Sequence, residues 1–190
     1  LLFARNQVAA ARLQKQREEG KLQKKYLALA EGDLSEANDS VFWKEIAIPL
    51  APDPENPMKM TISPDGLLPG SRNAVTYYKN IKSFGNVTLV ELQLETGRTH
   101  QIRVHMSGIG HPLLGDTMYN PRVCLKMSNS KEKKNTEGRI NNRNDCFKRA
   151  ALHAWKLTFC HPFTDEIITL EAPLPDDFCR FLNANEEEKT

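Results

Sequence analysis

An α+β fold, with short helices flanking a mostly antiparallel mixed sheet, is predicted for this 190-residue chain by three observations. Segments of strand length and strand composition outnumber helical ones. The helical segments are few. Two of the strand segments, Ala74 to Ser83 and Val87 to Glu95, flank Phe84-Gly85-Asn86, a hairpin signal. Consecutive hairpin-like strands with segregated helices build an antiparallel sheet with one covered face or more. No internal repeat is apparent.

Taken in order, the chain opens on Leu1-Leu2-Phe3-Ala4, which reads as the end of a buried strand. Asn6 is an N-cap, and Val8 to Glu19, rich in Ala, Gln, Lys, Arg and Glu, is a helix stopped by Gly20. Leu22 to Ala30 reads as a strand ended by Glu31-Gly32-Asp33, with Lys24, Tyr26 and Ala28 on one face and Lys25, Leu27 and Leu29 on the other. Val41 to Leu50 is a further strand. Residues 49–70 hold six prolines and read as loop without a regular element. After the hairpin, Thr99 to Met106 reads as a short helix opened by Thr96 or Gly97 and closed by Ser107-Gly108. Residues 121–148 have little periodicity and read as a flexible surface insertion. Leu152 to Cys160 and Glu166 to Glu171 form a last strand pair. Pro175 onward is a helix with Asp176 and Asp177 in its first turn and Phe178, Phe181 and Leu182 on one face.

Composition sets bounds on function. A length of 190 residues suits one domain with a real core, or a large piece of one. The apolar runs fall far short of the roughly 20 residues that span a bilayer, and no signal-peptide pattern precedes them. The four cysteines are scattered without a C-x-x-C, which reads as reduced thiols in a cytoplasmic or organellar-matrix protein and not as a zinc site. The net charge of +2 is too small to argue for nucleic acid by itself. Its distribution says more: Arg12, Lys15, Arg17, Lys21, Lys24 and Lys25 cluster, 126–149 is basic, and Glu186-Glu187-Glu188 is acidic. Such a cluster is either a footprint for phosphates or a solvated helix face.

The richest stretch is Leu94 to Tyr119, reading LETGRTHQIRVHMSGIGHPLLGDTMY. Cationic side chains at a strand-to-helix junction suit a phosphate-bearing or carboxylate-bearing partner. Arg98 and Arg103 could hold phosphates, clamp a catalytic carboxylate in its ionised form, or sit in unrelated ion pairs. His100 and His105 invite a metal site, but five residues on a helix separate them by about 140° and on a strand they face opposite ways. Gly108-x-Gly110 and Gly115-Asp116 lack phosphate-loop spacings and read as tight turns, and no Ser sits in a G-x-S-x-G elbow.

The string Leu94-Glu-Thr-Gly-Arg-Thr-His-Gln-Ile-Arg-Val-His105, followed by Gly110-His-Pro-Leu-Leu-Gly-Asp116 and Tyr119, closely resembles the signature of the RluA-type pseudouridine synthases. Lys24-Lys25-Tyr26-Leu27-Ala28-Leu29 resembles that family's K-x-Y-L-A-L strand. Arg149-Ala-Ala-Leu-His-Ala154, with His161-Pro162 and Ala172-Pro173 behind it, resembles its closing pattern. The resemblance implies isomerisation of uridine to pseudouridine in structured rRNA or tRNA, without cofactor or metal. It implies that Arg103 pairs with the catalytic aspartate, and that Tyr26 stacks on the flipped-out base and, through its hydroxyl, helps remove the C5 proton at the end. It also implies that Leu152 walls the uracil pocket. Lys24, Arg98, His100 and Gln101 then touch phosphate or organise the site. For His100, His105 and Gln101, helix packing is an equally good reading.

The family's catalytic aspartate lies in an H-R-L-D-x-x-[ST]-S-G segment before a strand like Leu1-Leu2-Phe3-Ala4-Arg5-Asn6, and no aspartate of these 190 residues has that context. The expectation is therefore residues 1–190 as one partial catalytic domain, with 121–148 inserted in it. On this view the piece is inactive alone and carries an unpaired, partly apolar sheet edge, while the full-length enzyme is a monomer. A non-catalytic RNA-binding or ribosome-assembly module is the alternative. A zinc hydrolase built on His100 and His105 ranks last.

Overall fold

The structure, a computed structural model, describes residues 2–34, 42–122 and 147–187. Most of the expected insertion, Val41, Asp39, Cys124, Cys146 and the end of the acidic tail lie outside the described residues. In chain order the elements are α1 (Gln7–Glu18), β1 (Gln23–Glu31), β2 (Lys44–Ala47), β3 (Leu50–Pro52), β4 (Met60–Ile62), β5 (Val75–Ser83), β6 (Val87–Leu94), α2 (Gln101–Gly108), β7 (Leu152–Cys160), β8 (Ile167–Glu171) and α3 (Asp176–Glu187).

Among the described residues the main sheet has six strands in the order β2-β5-β6-β1-β7-β8, every neighbouring pair antiparallel. The expected α+β architecture is present, and the pairings described are antiparallel throughout, not mixed. β6 and β1 lie at the centre. The β6 sequence VTLVELQL is buried at its first six positions, because both faces of the sheet are covered. One face carries Leu27, Leu29, Val87 and Leu89, packed under Phe178 and Phe181 of α3. The other carries Ala28, Ala30, Val90, Leu92 and Tyr78, packed under Ile102 and Met106 of α2. The alternation expected along Lys24 to Leu29 is thus the one the two cores use.

Local chemistry explains most element ends. Asn6 accepts the Ala9 N–H at 2.8 Å and caps α1. Gly85 turns the β5–β6 hairpin at φ +70, with the Phe84 N–H donated to the Val87 carbonyl. α1 buries only Ala9 and Gln16, so polar bonds dock it. Gln16 donates to the Cys160 carbonyl at 2.8 Å and accepts the Cys160 N–H at 2.9 Å. Arg12 donates to the Pro162 carbonyl and lies over the Phe163 ring.

Five expectations need correction. Residues 2–4 form no strand, and Phe3 is exposed. The strand expected over 41–50 breaks at Pro49, which has no N–H to donate, so β2 joins the main sheet and β3 leaves it. The proline-rich stretch contains a two-stranded hairpin, β3 with β4, because Pro52 needs only to accept at the end of a short ladder. α2 starts at Gln101 and not at Thr99. The residue before it, His100, takes a left-handed conformation (φ 55) and makes no side-chain cap bond. Finally, Phe147 of the expected insertion is buried in the core beneath α3.

Candidate functional site

Tyr26 stands where β1 changes register against β7, pairing with Leu92 on one side and Ala154 on the other. Its half-buried ring packs on the same apolar layer as Leu94 and Leu152, and burial pushes its hydroxyl above the ordinary tyrosine range. Two grooves meet at this ring. The larger, about 550 Å³, lies between α1 and β7–β8, with Leu13, Leu22, Trp155, Leu157 and Leu170 along it. The smaller, about 380 Å³, is polar and is lined by Arg17, Lys24, Tyr77, Glu95 and Arg98. Arg17, Lys24 and Tyr26 border both. The Tyr77 hydroxyl donates to Glu95 at 2.7 Å, and that bond pushes its pKa up to about 12.

The loop from Thr96 to His100 is held from inside by Gln101. Its Oε1 accepts the Thr96 hydroxyl at 2.8 Å and the Arg98 N–H at 2.9 Å. Its Nε2 donates to the Val75 carbonyl at 2.9 Å and to Thr76 Oγ1 at 3.0 Å. All of the amide's usual partners are therefore protein atoms. Arg98 Nε donates to the Asn73 carbonyl at 3.0 Å, which fixes the side chain at the groove's rim. Thr76 passes the network on: having accepted from Gln101, its hydroxyl donates to His105 Nδ1 at 2.8 Å, and His105 Nε2 donates to the Ile48 carbonyl at 2.8 Å. Burial holds His105 below the ordinary histidine range, against a smaller opposing effect of the Ile48 carbonyl.

Arg103 forms a second centre. Its Nε and Nη2 donate as a fork to the two oxygens of Asp116, each at 2.7 Å. Asp116 is fully buried and also accepts the N–H groups of Met118 and Tyr119, each at 3.0 Å. Burial raises the pKa of this carboxyl, but the guanidinium and the two N–H groups outweigh burial and hold it below the ordinary range. The guanidinium lies 4.8 Å over the Tyr119 ring. The Tyr119 hydroxyl accepts the Met60 N–H at 2.9 Å and shares a hydrogen bond with His100 Nδ1, also at 2.9 Å. Burial first, and then the charge of Arg103, keep His100 below its usual pKa.

The fold thus brings Tyr26, Lys24 and Arg98 to one groove and sets Leu152 in the layer beneath Tyr26. It places Arg103 and His100 in the Asp116–Tyr119 cluster, outside the lining of both grooves. Gln101 is internal, and His100 and His105 point their ring nitrogens at separate partners. Two side chains at these centres escape a reading of spacing. Asp116 reads as part of a turn and as the end of the signature string, with nothing to pair it with Arg103; it follows Gly115 (φ +65), and its carboxylate reaches back to α2. Arg17 was counted only within a charge cluster.

The fold thus sets an arginine fork behind the T-G-R-T-H-Q-I-R loop and a tyrosine between an apolar and a cationic groove. The family model for RNA pseudouridylate synthase matches residues 1–108. Over 179 residues the chain is 38% identical to the uncharacterized RNA pseudouridine synthase YhcT of Bacillus subtilis (strain 168), covering 93% of this chain and 49% of the relative. Over 184 residues it is 36% identical to the ribosomal large subunit pseudouridine synthase D of Haemophilus influenzae, covering 97% and 51%. Among solved structures, human RNA pseudouridylate synthase domain containing 4 superposes with a TM-score of 0.68 at 25% identity, covering 95% of this chain and 69% of that one. The chain belongs to the RNA pseudouridylate synthase family, of the RluA type its motifs resemble. It spans about half the length of the curated relatives it matches.

Proposed function

We propose that this chain is part of an enzyme that isomerises uridine to pseudouridine in structured rRNA or tRNA. The bond from C1′ to N1 breaks, a bond from C1′ to C5 forms, and the C5 proton leaves while N1 gains one, so no cofactor is needed. The observation that carries this reading is the placement of Tyr26, a half-buried ring between an apolar and a cationic groove on a family scaffold. A base removed from its stack needs such a π surface, worth about 1–3 kcal/mol. Leu152 backs that ring, and Lys24 and Arg98 meet phosphate. Gln101 and His100 position the loop.

Arg103 holds the catalytic carboxylate, which the family carries in its H-R-L-D segment. Among the described residues its Nη1 makes no hydrogen bond, so both Nη1 N–H groups are left for that second carboxylate while Asp116 takes one N–H each from Nε and Nη2. The rival reading, RNA binding without modification, draws on the same fact from the other side: the guanidinium already has a carboxylate partner in Asp116. The ribosomal name of the Haemophilus relative favours rRNA. Scattered cysteines, of which Cys160 and Cys179 are free thiols, suit a cytoplasmic or matrix protein acting as a monomer. Among the described residues no helix is long and apolar enough to cross a membrane.

The test is release of tritium from RNA labelled at C5 of uridine, using the full gene product. Arg103→Ala should abolish release while RNA affinity stays within a few-fold. Tyr26→Phe should bind but turn over slowly. Unchanged release by Arg103→Ala would remove the assigned role.

A further inference from the structure

We propose that Arg17 binds a backbone phosphate of the RNA strand, as the central cation of the polar groove beside Tyr26. This rests on the RNA reading above and gives it a residue and a location. The basic cluster of the N-terminal region has six members, and their surroundings separate them sharply. Lys15 and Lys21 both pair with Glu19, at 3.7 and 2.7 Å, and Lys25 pairs with the buried Glu91 at 2.9 Å. Arg12 is spent on Pro162 and Phe163. Among the described residues Arg17 and Lys24 alone of the six have no carboxylate or carbonyl partner, and these two line the groove. Cations left unpaired on one cleft, with one carboxylate in it already accepting a tyrosine hydroxyl, make a site for an anion.

Arg17 is placed there by structure and not by chance of a long side chain. The preceding residue, Gln16, is locked to both polar backbone atoms of Cys160. Gly97 leaves the room: a Cβ built on it would lie 3.4 Å from Arg17 Nη2, so the guanidinium rests against the backbone of the T-G-R-T loop. Arg98 completes the rim from the other side, its Nε anchored on Asn73. Two aromatic rings, Tyr26 and Tyr77, line the same groove. Cations that track a backbone beside rings on which bases stack are the recognition elements of single-stranded RNA, whereas an acidic peptide has no use for the rings.

The experiment measures the affinity of the full gene product for a uridine-containing RNA oligonucleotide between about 50 and 200 mM salt, together with kcat and KM. Arg17→Gln should lower the slope of log K against log salt by about 0.7, the loss of one single-strand phosphate contact. KM should rise several-fold with kcat within about two-fold, since Arg17 touches no reacting atom. Arg17→Lys should recover most of the slope, which separates charge from folding. Lys15→Gln, on the same helix but already paired with Glu19, should change neither quantity. An unchanged slope in Arg17→Gln, or an equal fall in Lys15→Gln, would overturn the proposal. If the wild type makes pseudouridine and the Arg17→Gln slope is unchanged, the groove fails and the enzyme reading stands. If no pseudouridine forms but the slope falls, the phosphate site stands and the enzyme reading fails.

Discussion

Arg103 has a structural burden that can be separated from the chemical role proposed for it. Its fork neutralises a fully buried carboxylate, so Arg103→Ala leaves Asp116 with only the Met118 and Tyr119 N–H groups. Removing one partner of a buried pair costs about 3–5 kcal/mol, and the two remaining donors put this case near 3. Arg103→Lys keeps the charge without the planar fork and should recover only part of that loss. Urea unfolding checks both, and a loss in Arg103→Ala under about 0.5 kcal/mol would mean that the pair does not hold α2 to the turn. The importance of Arg103 was legible from the motif around it. Its partner was not, because the tight turn expected at Gly115-Asp116 does not by itself say that the Asp116 carboxylate closes on a side chain 13 residues back. For Gln101 the motif leaves phosphate contact, site organisation and helix packing open, and its bonds within the loop emerge once Val75 and Thr76 lie opposite it.

At the scale of elements, α1 shows how a helix with almost no apolar face is held. Gln16 bonds the N–H and the carbonyl of Cys160, and these two groups at the end of β7 lose both partners in Gln16→Ala. An unmade bond to a partly buried polar group costs about 1–3 kcal/mol. The substitution should lower stability by about that much and speed amide hydrogen exchange along α1 before the central strands. Uniform exchange across the sheet would contradict local docking. The strands were the easiest elements to anticipate, since β1, β6 and β7 alternate or run apolar over eight or nine residues. The β3–β4 hairpin was not, because six prolines mask a three-residue ladder whose bonds come partly from Arg72 and Pro49. The left-handed His100 also escaped notice, since the contact that orients it, Tyr119, lies 19 residues away.

For the molecule as a whole, three kinds of buried titrating group give stability a defined pH dependence. His105 and, less deeply, His100 have depressed pKa values in the folded state. The unfolded chain takes up protons first, so stability falls as pH drops below about 6.5 and continues to fall until the folded groups protonate. Asp116 and Glu91 are also depressed. For Glu91, burial pushes the carboxyl up, and Lys25 and Lys79 outweigh it. Their contribution is present above about pH 4 and is lost as pH falls through the folded values. Urea midpoints should therefore decline in two stages, a first that sets in below about pH 6.5 and a second below about pH 4. His105→Gln should flatten most of the first stage, and a first stage of equal size in that variant would show that His105 is not its source.

The proposed reading makes this chain part of a uridine isomerase with its base platform at Tyr26 and its carboxylate clamp at Arg103. Its most direct test is mass-spectrometric mapping of pseudouridine in rRNA and tRNA from cells lacking the gene, complemented with wild type, Arg103→Ala or Tyr26→Ala. One or a few pseudouridines should vanish in the deletion, return with wild type, and fail to return with either variant. A pseudouridine map identical with and without the gene would contradict the claim and leave a protein that binds RNA without modifying it.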